Sequence, residues 1–193
     1  REQLLNTDLM SYLQKKAVIR ANMQDPRIGV IIVDQNGEEY PAVENALITG
    51  LHKNGFSRIV DLTQIEASVK NRIANAVFDG DYGLEALGSH FNVDYLVTGY
   101  LDVNTNGIPL IEDYPFVGSL NNVAVNLSVR MLNANTGEIL YAGSANGKSF
   151  NPGAKGMQDA LKRATRPIVK ELSKAALQKA ANPEQHVTIL VAG

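Results

Sequence analysis

The sequence predicts an α/β protein of the α+β kind, in which helices flank a mixed β-sheet that contains a long central antiparallel hairpin. Two observations lead to this fold class. Two strand patterns joined by a tight turn occupy residues 122–149, which indicates antiparallel pairing. Strand and helix patterns alternate before this hairpin, which is typical of parallel strands covered by helices. The hairpin therefore counts against a purely parallel, doubly wound sheet.

The hairpin has the clearest pattern in the chain. Its first strand alternates with a period of two, which predicts one buried and one outward face. The buried set is Val123, Val125, Leu127, Val129 and Met131, and the outward set is Ala124, Asn126, Ser128 and Arg130. Residues 133–137 favour a reversal because Asn and Gly accept positive φ. A second strand starts at Glu138, with Ile139 and Tyr141 expected on one face.

The segment before the hairpin begins with a strand and a helix. Residues 27–34 are a continuous apolar run, too short for a helix, and predict a central strand covered on both faces. Pro41 suits the first position of the next helix, which Asn54 and Gly55 end. The buried stripe of this helix is Val43, Ala46, Leu47 and Leu51.

A strand at 57–62 is followed by residues 63–66 (Thr-Gln-Ile-Glu), a capping box that predicts the start of a second helix. The inward residues of this helix are Ile65, Val69, Ile73 and Val77. Residues 79–81 break it, and a short helix follows with Leu84, Leu87 and Phe91 inward. Residues 93–102 form a strand, and residues 103–121, which include Pro109 and Pro115, are predicted to be irregular.

A long amphipathic helix follows the hairpin, with Pro167 expected to kink it or to mark its restart. Its apolar residues recur at steps of three and four: Met157, Leu161, Ala164, Ile168, Leu172 and Ala175. The N-terminal residues Leu4, Leu5, Leu9 and Leu13 suggest another amphipathic helix. We expect an N-terminal helical extension at 1–25 and the main domain at 26–182. Residues 183–193 are then the last strand of the sheet or the start of a further domain.

The composition narrows the function classes. The 193 residues contain no cysteine, which excludes disulfides, thiol catalysis and cysteine-based zinc sites. The net charge of −2 gives no long-range attraction to nucleic acid, and no nucleic-acid partner is expected. No segment reaches the roughly 20 apolar residues of a membrane-spanning helix.

Two segments together carry a family resemblance. Residues 93–102 (Val-Asp-Tyr-Leu-Val-Thr-Gly-Tyr-Leu-Asp) and residues 135–143 (Asn-Thr-Gly-Glu-Ile-Leu-Tyr-Ala-Gly) occur in the order seen in one group of bacterial envelope proteins. The chain resembles this CsgG-like family, which includes the curli secretion lipoprotein and LpoB-type relatives, over roughly residues 26 to 180.

The resemblance implies a protein of the periplasm or cell envelope that binds a protein partner or itself and is not an enzyme. It also implies association with the outer membrane through a lipoprotein signal removed from the N-terminus, ahead of Arg1. The curli channel builds its pore from long inserted hairpins. Because the insertion at 103–121 holds two prolines and no alternating pattern, we expect an adaptor or accessory role instead.

One segment matches a metal-binding template. Asp102, Asn104, Asn106 and Asp113 occupy positions 1, 3, 5 and 12 of the calcium-loop pattern, and Gly107 occupies position 6. Against this, Asp113 is shorter than the usual Glu, and the preceding segment is predicted to be a strand. The simpler interpretation is a polar turn. No cofactor is expected, and calcium is the one candidate ion.

Two function hypotheses follow. The first is a non-catalytic binding protein of the envelope, acting in assembly, secretion or an accessory role, with an exposed apolar patch as its working surface. The N-terminal leucines are the candidate for part of that patch. The alternative is an enzyme or small-molecule-binding domain with a site near Asp34, Asp61 and Asp102, which end or follow predicted strands.

Overall fold

A computed structural model describes residues 13, 14, 17, 25–79, 91–107, 121–151 and 153–181. The described chain forms a mixed five-stranded sheet with the order β2-β1-β3-β4-β5. This confirms the predicted fold class of helices flanking a mixed sheet with a long antiparallel hairpin. In chain order the elements are β1 (Ile28–Asp34), α1 (Pro41–Lys53), β2 (Ile59–Val60), α2 (Ala67–Asp79), β3 (Tyr95–Gly107), β4 (Asn121–Asn133), β5 (Ile139–Ser149) and α3 (Gly153–Ala181).

Strand β1 is covered on both faces, as its continuous apolar run predicts. It pairs in parallel with β2 and β3, and every residue from Ile28 to Val33 is buried. Ile28, Val30 and Ile32 join the core beneath α1 and α3, whereas Ile31 and Val33 join the core beneath α2. Strand β2 is shorter than the predicted 57–62, because only Ile59 and Val60 pair with β1.

The predicted faces of β4 are confirmed. Its inward set is buried, with exposed fractions of 5% or less: Val123, Val125, Leu127, Val129 and Met131. On the other face Asn126 is exposed, but Arg130 is half-buried. The Arg130 guanidinium lies 4.7 Å from the centre of the Phe78 ring and donates a 2.7 Å hydrogen bond to the Val77 carbonyl. The second face of the sheet is therefore covered by α2 at this point.

Strand β5 departs from the prediction at its start. A bulge interrupts the pairing with β4, so that Tyr141 lies opposite Met131 while Ile139 lies opposite Leu132. Met131 and Leu132 belong to cores on opposite faces of the sheet. Ile139 and Tyr141 therefore lie on opposite faces and not on one. The side chain of Ile139 is 49% exposed. The extra residue of the bulge breaks the period of two on which the prediction depended.

Strands β3 and β4 are longer than predicted. Residues 103–107, expected to be irregular, continue β3 and pair with β4 from Val103↔Val125 to Gly107↔Asn121. Asn and Gly are poor strand formers, so the local sequence suggested a turn. Thirteen consecutive antiparallel pairs with β4 override that preference.

The start of α2 also corrects a prediction. The Thr63 hydroxyl donates a 2.7 Å hydrogen bond to Asp61 and does not cap a helix. Helix α2 begins at Ala67, and the Glu66 carbonyl accepts its first backbone bonds, from Val69 and Lys70. The predicted capping box is therefore wrong, although the predicted stripe packs as expected: Ile65, Val69, Ile73 and Val77.

Helix α3 runs from Gly153 to Ala181 as one helix that includes Pro167, so the proline does not mark a restart. Its predicted apolar stripe packs on the sheet, with Ala164, Ile168 and Leu172 buried to within 1%. At the C-terminal end the prediction is wrong by one residue, because Ala176 is buried whereas the predicted Ala175 is only half-buried.

An ion pair joins the starts of β1 and β3. The Arg27 side chain reaches both carboxylate oxygens of Asp94, at 2.7 and 3.2 Å, and the Arg27 backbone N–H donates to Asp94 at 2.7 Å. These bonds hold the pKa of Asp94 below its usual range. The Asp94 of the segment that carries the family resemblance thus has a structural role, which composition alone did not show.

Several predicted features lie outside the described residues: the short helix at Leu84 and Leu87, the strand at 186–192 and most of the N-terminal helix. Residues 13, 14 and 17 are helical, and Leu13 is 48% exposed. Within the described ranges no helix combines the length and the apolar character that crossing a membrane requires.

Candidate functional site

A groove of about 1120 Å³ lies between α1 and α3. Both helices pack on the same face of the sheet, and the groove opens on their outer side. From α1 and its C-cap the lining residues are Ala42, Asn45, Ala46, Thr49, Gly50, Lys53 and Asn54. From α3 they are Gln158, Leu161, Lys162, Thr165, Arg166, Pro167, Val169 and Lys170.

The floor of the groove is apolar and exists because Gly50 has no side chain. A Cβ atom at Gly50 would lie 2.6 Å from a methyl carbon of Val169, so only glycine lets α1 pack this closely against α3. Leu161 and Val169 are buried, with 6% and 7% exposed. The Thr165 hydroxyl is already bonded to the Leu161 carbonyl at 2.9 Å, so it adds no free polar group to the floor.

The rim of the groove is cationic. Lys53, Lys162, Arg166 and Lys170 are all exposed, and within the described ranges none of them forms an ion pair. The three on α3 follow one another at steps of four, where like charges cost a helix about 0.2–0.5 kcal/mol per pair. Among the described residues that line the groove there is no carboxylate and no histidine.

The charge of α3 contrasts with that of the whole chain. The helix carries seven basic and two acidic residues, whereas the complete chain has a net charge of −2. This groove was not predicted from the sequence. The signal that could have found it is the spacing of Lys162, Arg166 and Lys170, which places three cations on one side of the predicted helix.

The structure does not bring together the aspartates of the alternative site. Strand β2 pairs Val60 with Gly29, so Asp61 follows at the level of Val30, four residues before Asp34. At the spacing of a strand this separates the two aspartates by about 13 Å. Asp102 follows Leu101, which lies opposite Asp34 across β1 and β3, and so it lies near only one of them.

Two of these aspartates organise turns. Asp34 accepts backbone hydrogen bonds from Asn36 and Glu38, both at 2.8 Å. Asp61 accepts from the hydroxyl and the backbone N–H of Thr63 at 2.7 and 2.9 Å, and these bonds lower the pKa of Asp61. A carboxylate with a lowered pKa is a poor general base at neutral pH.

The candidate calcium ligands lie on a strand. Asp102, Asn104 and Asn106 are alternate residues of β3, and Asp113 lies outside the described residues. The Asp102 carboxylate accepts hydrogen bonds from the side-chain amides of Asn104 and Asn126, at 3.1 and 3.3 Å. Calcium would need the amide oxygen of Asn104 instead of its nitrogen. The calcium site stays a prediction.

Thermal unfolding decides the calcium prediction. If Asp102 and its neighbours bind the ion, calcium at about 100 times its Kd stabilises the fold by about 2.7 kcal/mol and raises the Tm. Asp102→Asn removes the only charge of the described cluster and is expected to abolish the rise. Equal midpoints with calcium and with a chelator would leave this segment as a polar strand.

A buried cluster of charges lies beside β1 and was not predicted. The Glu44 carboxylate is buried and accepts a 2.9 Å hydrogen bond from the Ile32 backbone N–H, on the edge of β1 that short β2 leaves unpaired. Burial raises the pKa of Glu44. Lys70 is 1% exposed, and its Nζ lies 3.1 Å from Glu39. Because the bonded oxygen of Glu44 completes the sheet edge, the cluster has a structural role.

The one histidine among the described residues adds no site. His52 is exposed, and its Nδ1 lies 2.9 Å from the Phe56 carbonyl just beyond α1. His90 and His186 lie outside the described residues.

Comparison with known proteins identifies a solved structure with a similar fold. No family model matches the chain, and no curated protein matches it. A solved structure of the hypothetical protein CT253 from Chlamydia trachomatis has a TM-score of 0.54 at 10% identity, covering 79% of this chain and 99% of that one. The similarity shows a shared α+β fold.

More distant structural neighbours include bacterial lipoproteins. Lipoprotein GNA1162 from Neisseria meningitidis has a TM-score of 0.45 at 19% identity, covering 81% of this chain and 99% of its own. The LpoB C-terminal domain from Salmonella enterica has a TM-score of 0.34 at 13% identity, covering 68% and 93%. These scores are too low to carry an argument about function.

Proposed function

We propose that this protein is a non-catalytic component of the bacterial cell envelope that acts by binding, in assembly, secretion or an accessory role. The binding surface is the groove between α1 and α3. The observation that carries the proposal is the exposed groove itself, in which an apolar floor is bordered by four cations that form no ion pair with any described residue. Location in the periplasm or at the outer membrane, and membership of the CsgG-like family, are parts of the same proposal.

The described polar groups support binding over chemistry. Asp34 and Asp61 hold turns, Glu44 completes the edge of β1, and Asp94 joins two strands. The described lining of the groove offers cations and apolar surface, which recognise a partner, and it holds no carboxylate or histidine that could serve as the base for a nucleophile. The surface differs from the purely apolar patch that we expected, because its rim is charged.

Cross-linking inside cells tests the proposed surface. A photoreactive amino acid replaces Gln158, an exposed residue of the groove, and in a control it replaces Thr136, exposed in the β4–β5 turn. We expect one discrete adduct from position 158, in the envelope fraction, with a protein identified by mass spectrometry. The proposal fails if the adduct forms equally from position 136 or if the protein fractionates away from the envelope.

The N-terminal extension is a second predicted contact surface, as part of an interface with another chain. Leu13 is 48% exposed, so it lies outside the core of the chain. We expect deletion of residues 1–21 to abolish a homo-oligomer or partner complex, as judged by light scattering, and to leave the Tm within a few degrees. Unfolding of the whole domain would show instead that Leu4, Leu5 and Leu9 are ordinary core residues.

A further inference from the structure

We propose that the groove between α1 and α3 binds an acidic, amphipathic α-helix of a protein partner. This inference rests on the proposed function and names the chemistry of the occupant. The inference is supported by the length of the groove, the small residues of its wall and the spacing of its cations.

The groove has the length of a short helix. Along α3 its lining extends from Gln158 to Lys170, which corresponds to about 18 Å at 1.5 Å per residue. On α1 the lining residues Ala42, Ala46 and Gly50 recur every four residues. The wall is low at Ala42 and Ala46, so the backbone of an incoming helix can approach α1 closely there, whereas the space at Gly50 is occupied by Val169.

The cations match the geometry of a helical partner. Lys162, Arg166 and Lys170 lie on successive turns of α3, about 6 Å apart along the axis. Carboxylates spaced by four residues on a partner helix have the same repeat, so each can pair with one cation. The apolar face of that helix then packs against the apolar lining residues that remain accessible, Ala42, Ala46 and Pro167.

The combination of floor and rim selects this occupant among the alternatives. A polyanion such as nucleic acid would pair with the cations but leave the apolar floor uncovered. A neutral apolar segment would cover the floor and place its edges against unpaired cations, which costs binding energy.

The test uses fluorescein-labelled synthetic peptides and the full chain, with binding followed by fluorescence anisotropy. One peptide is an amphipathic helix with Glu at every fourth position beside a Leu face. The second has Gln in place of Glu, and the third has the composition of the first in scrambled order. We expect the acidic helix to bind at least about tenfold more tightly than either control, and to weaken as salt rises.

Charge reversal locates the binding. In the triple variant Lys162→Glu, Arg166→Glu and Lys170→Glu, we expect the acidic peptide to lose at least about tenfold in affinity. The matched control reverses Lys155, Arg163 and Lys174, which are exposed cations of the same helix outside the groove lining. This control has the same net charge as the groove variant but keeps the groove cations. Its affinity is therefore expected to stay within about twofold of the unmodified chain. Circular dichroism and the Tm confirm that both variants are folded.

Four outcomes overturn the inference. Equal binding of the Glu and Gln peptides removes the role of the cations, and equal binding of the scrambled peptide indicates a general polyanion site. Equal losses in the two triple variants indicate net charge and not the groove. Cosedimentation with phosphatidylglycerol vesicles that requires the groove cations, with no peptide binding, indicates an anionic lipid. If cross-linking from position 158 identifies an envelope protein while the acidic helix does not bind, the proposed function stands and only this inference fails.

Discussion

Replacing Gly147 by alanine is expected to destabilise the protein by about 3 kcal/mol, because the new methyl group would overlap the backbone of α3. Gly147 lies opposite Val125, on the face of the sheet that α3 covers. A Cβ atom there would collide with the Ala160 carbonyl oxygen and would lie 2.9 Å from the Ala164 backbone nitrogen. Backbone atoms cannot move aside by changing rotamer, so the helix must shift away from the sheet.

Gly143→Ala is the matched control on the same strand. Its Cβ atom would meet the hydroxyl end of the Tyr141 side chain, which can rotate away. We therefore expect a change of about 1 kcal/mol or less in either direction, since alanine also reduces the freedom of the unfolded chain. Urea unfolding measures both variants. Equal effects at the two positions would show that the contact between β5 and α3 is looser than the structure indicates.

The parts of the fold that follow from local pattern were predictable. The continuous apolar run of β1 and the alternation in β4 determine which side chains are buried, because a strand has a fixed period of two. The pairing of Asn104 and Asn106 with β4 was not predictable in this way, since residues of low strand propensity became strand through a distant partner. The bulge that separates Ile139 from Tyr141 likewise depends on cross-strand pairing and leaves no local signal.

The candidate site was harder to predict than the fold. Its two walls are about 110 residues apart in the chain, and their contact depends on Gly50 meeting Val169 across two helices. The predicted aspartates were identified by their position after strands, but the register of β2 separates Asp61 from Asp34. Only the regular spacing of basic residues on α3 could be recognised in the sequence. It indicates a groove only when α1 is known to lie beside α3.

Changing Lys70 is expected to have the second large effect, because this buried cation lies beside Glu39 and Glu44. Lys70→Ala removes both the charge and a buried side chain, and we expect a loss of about 3–4 kcal/mol. Lys70→Met keeps most of the volume and removes only the charge, so about half of that loss is expected at neutral pH. Equal losses in the two variants would contradict a role for the methylene groups in packing.

The charge contribution has a pH dependence whose sign follows from Glu44. Burial raises the pKa of Glu44 in the folded protein, and the charge of Lys70 opposes this rise. Because its pKa is raised in the folded state, Glu44 keeps its proton to higher pH there than in the unfolded state, where a glutamate pKa is about 4.3. The free energy of unfolding therefore falls as pH increases through the window between these two pKa values. Without Lys70 the window extends to higher pH.

Urea unfolding should therefore show a larger deficit for Lys70→Met at about pH 8 than at about pH 5. Adding Glu44→Gln to Lys70→Met removes this titrating group, so the deficit of the double variant should change less between the two pH values than that of Lys70→Met. A deficit for Lys70→Met that does not change with pH would mean that Glu44 and Lys70 are not electrostatically coupled.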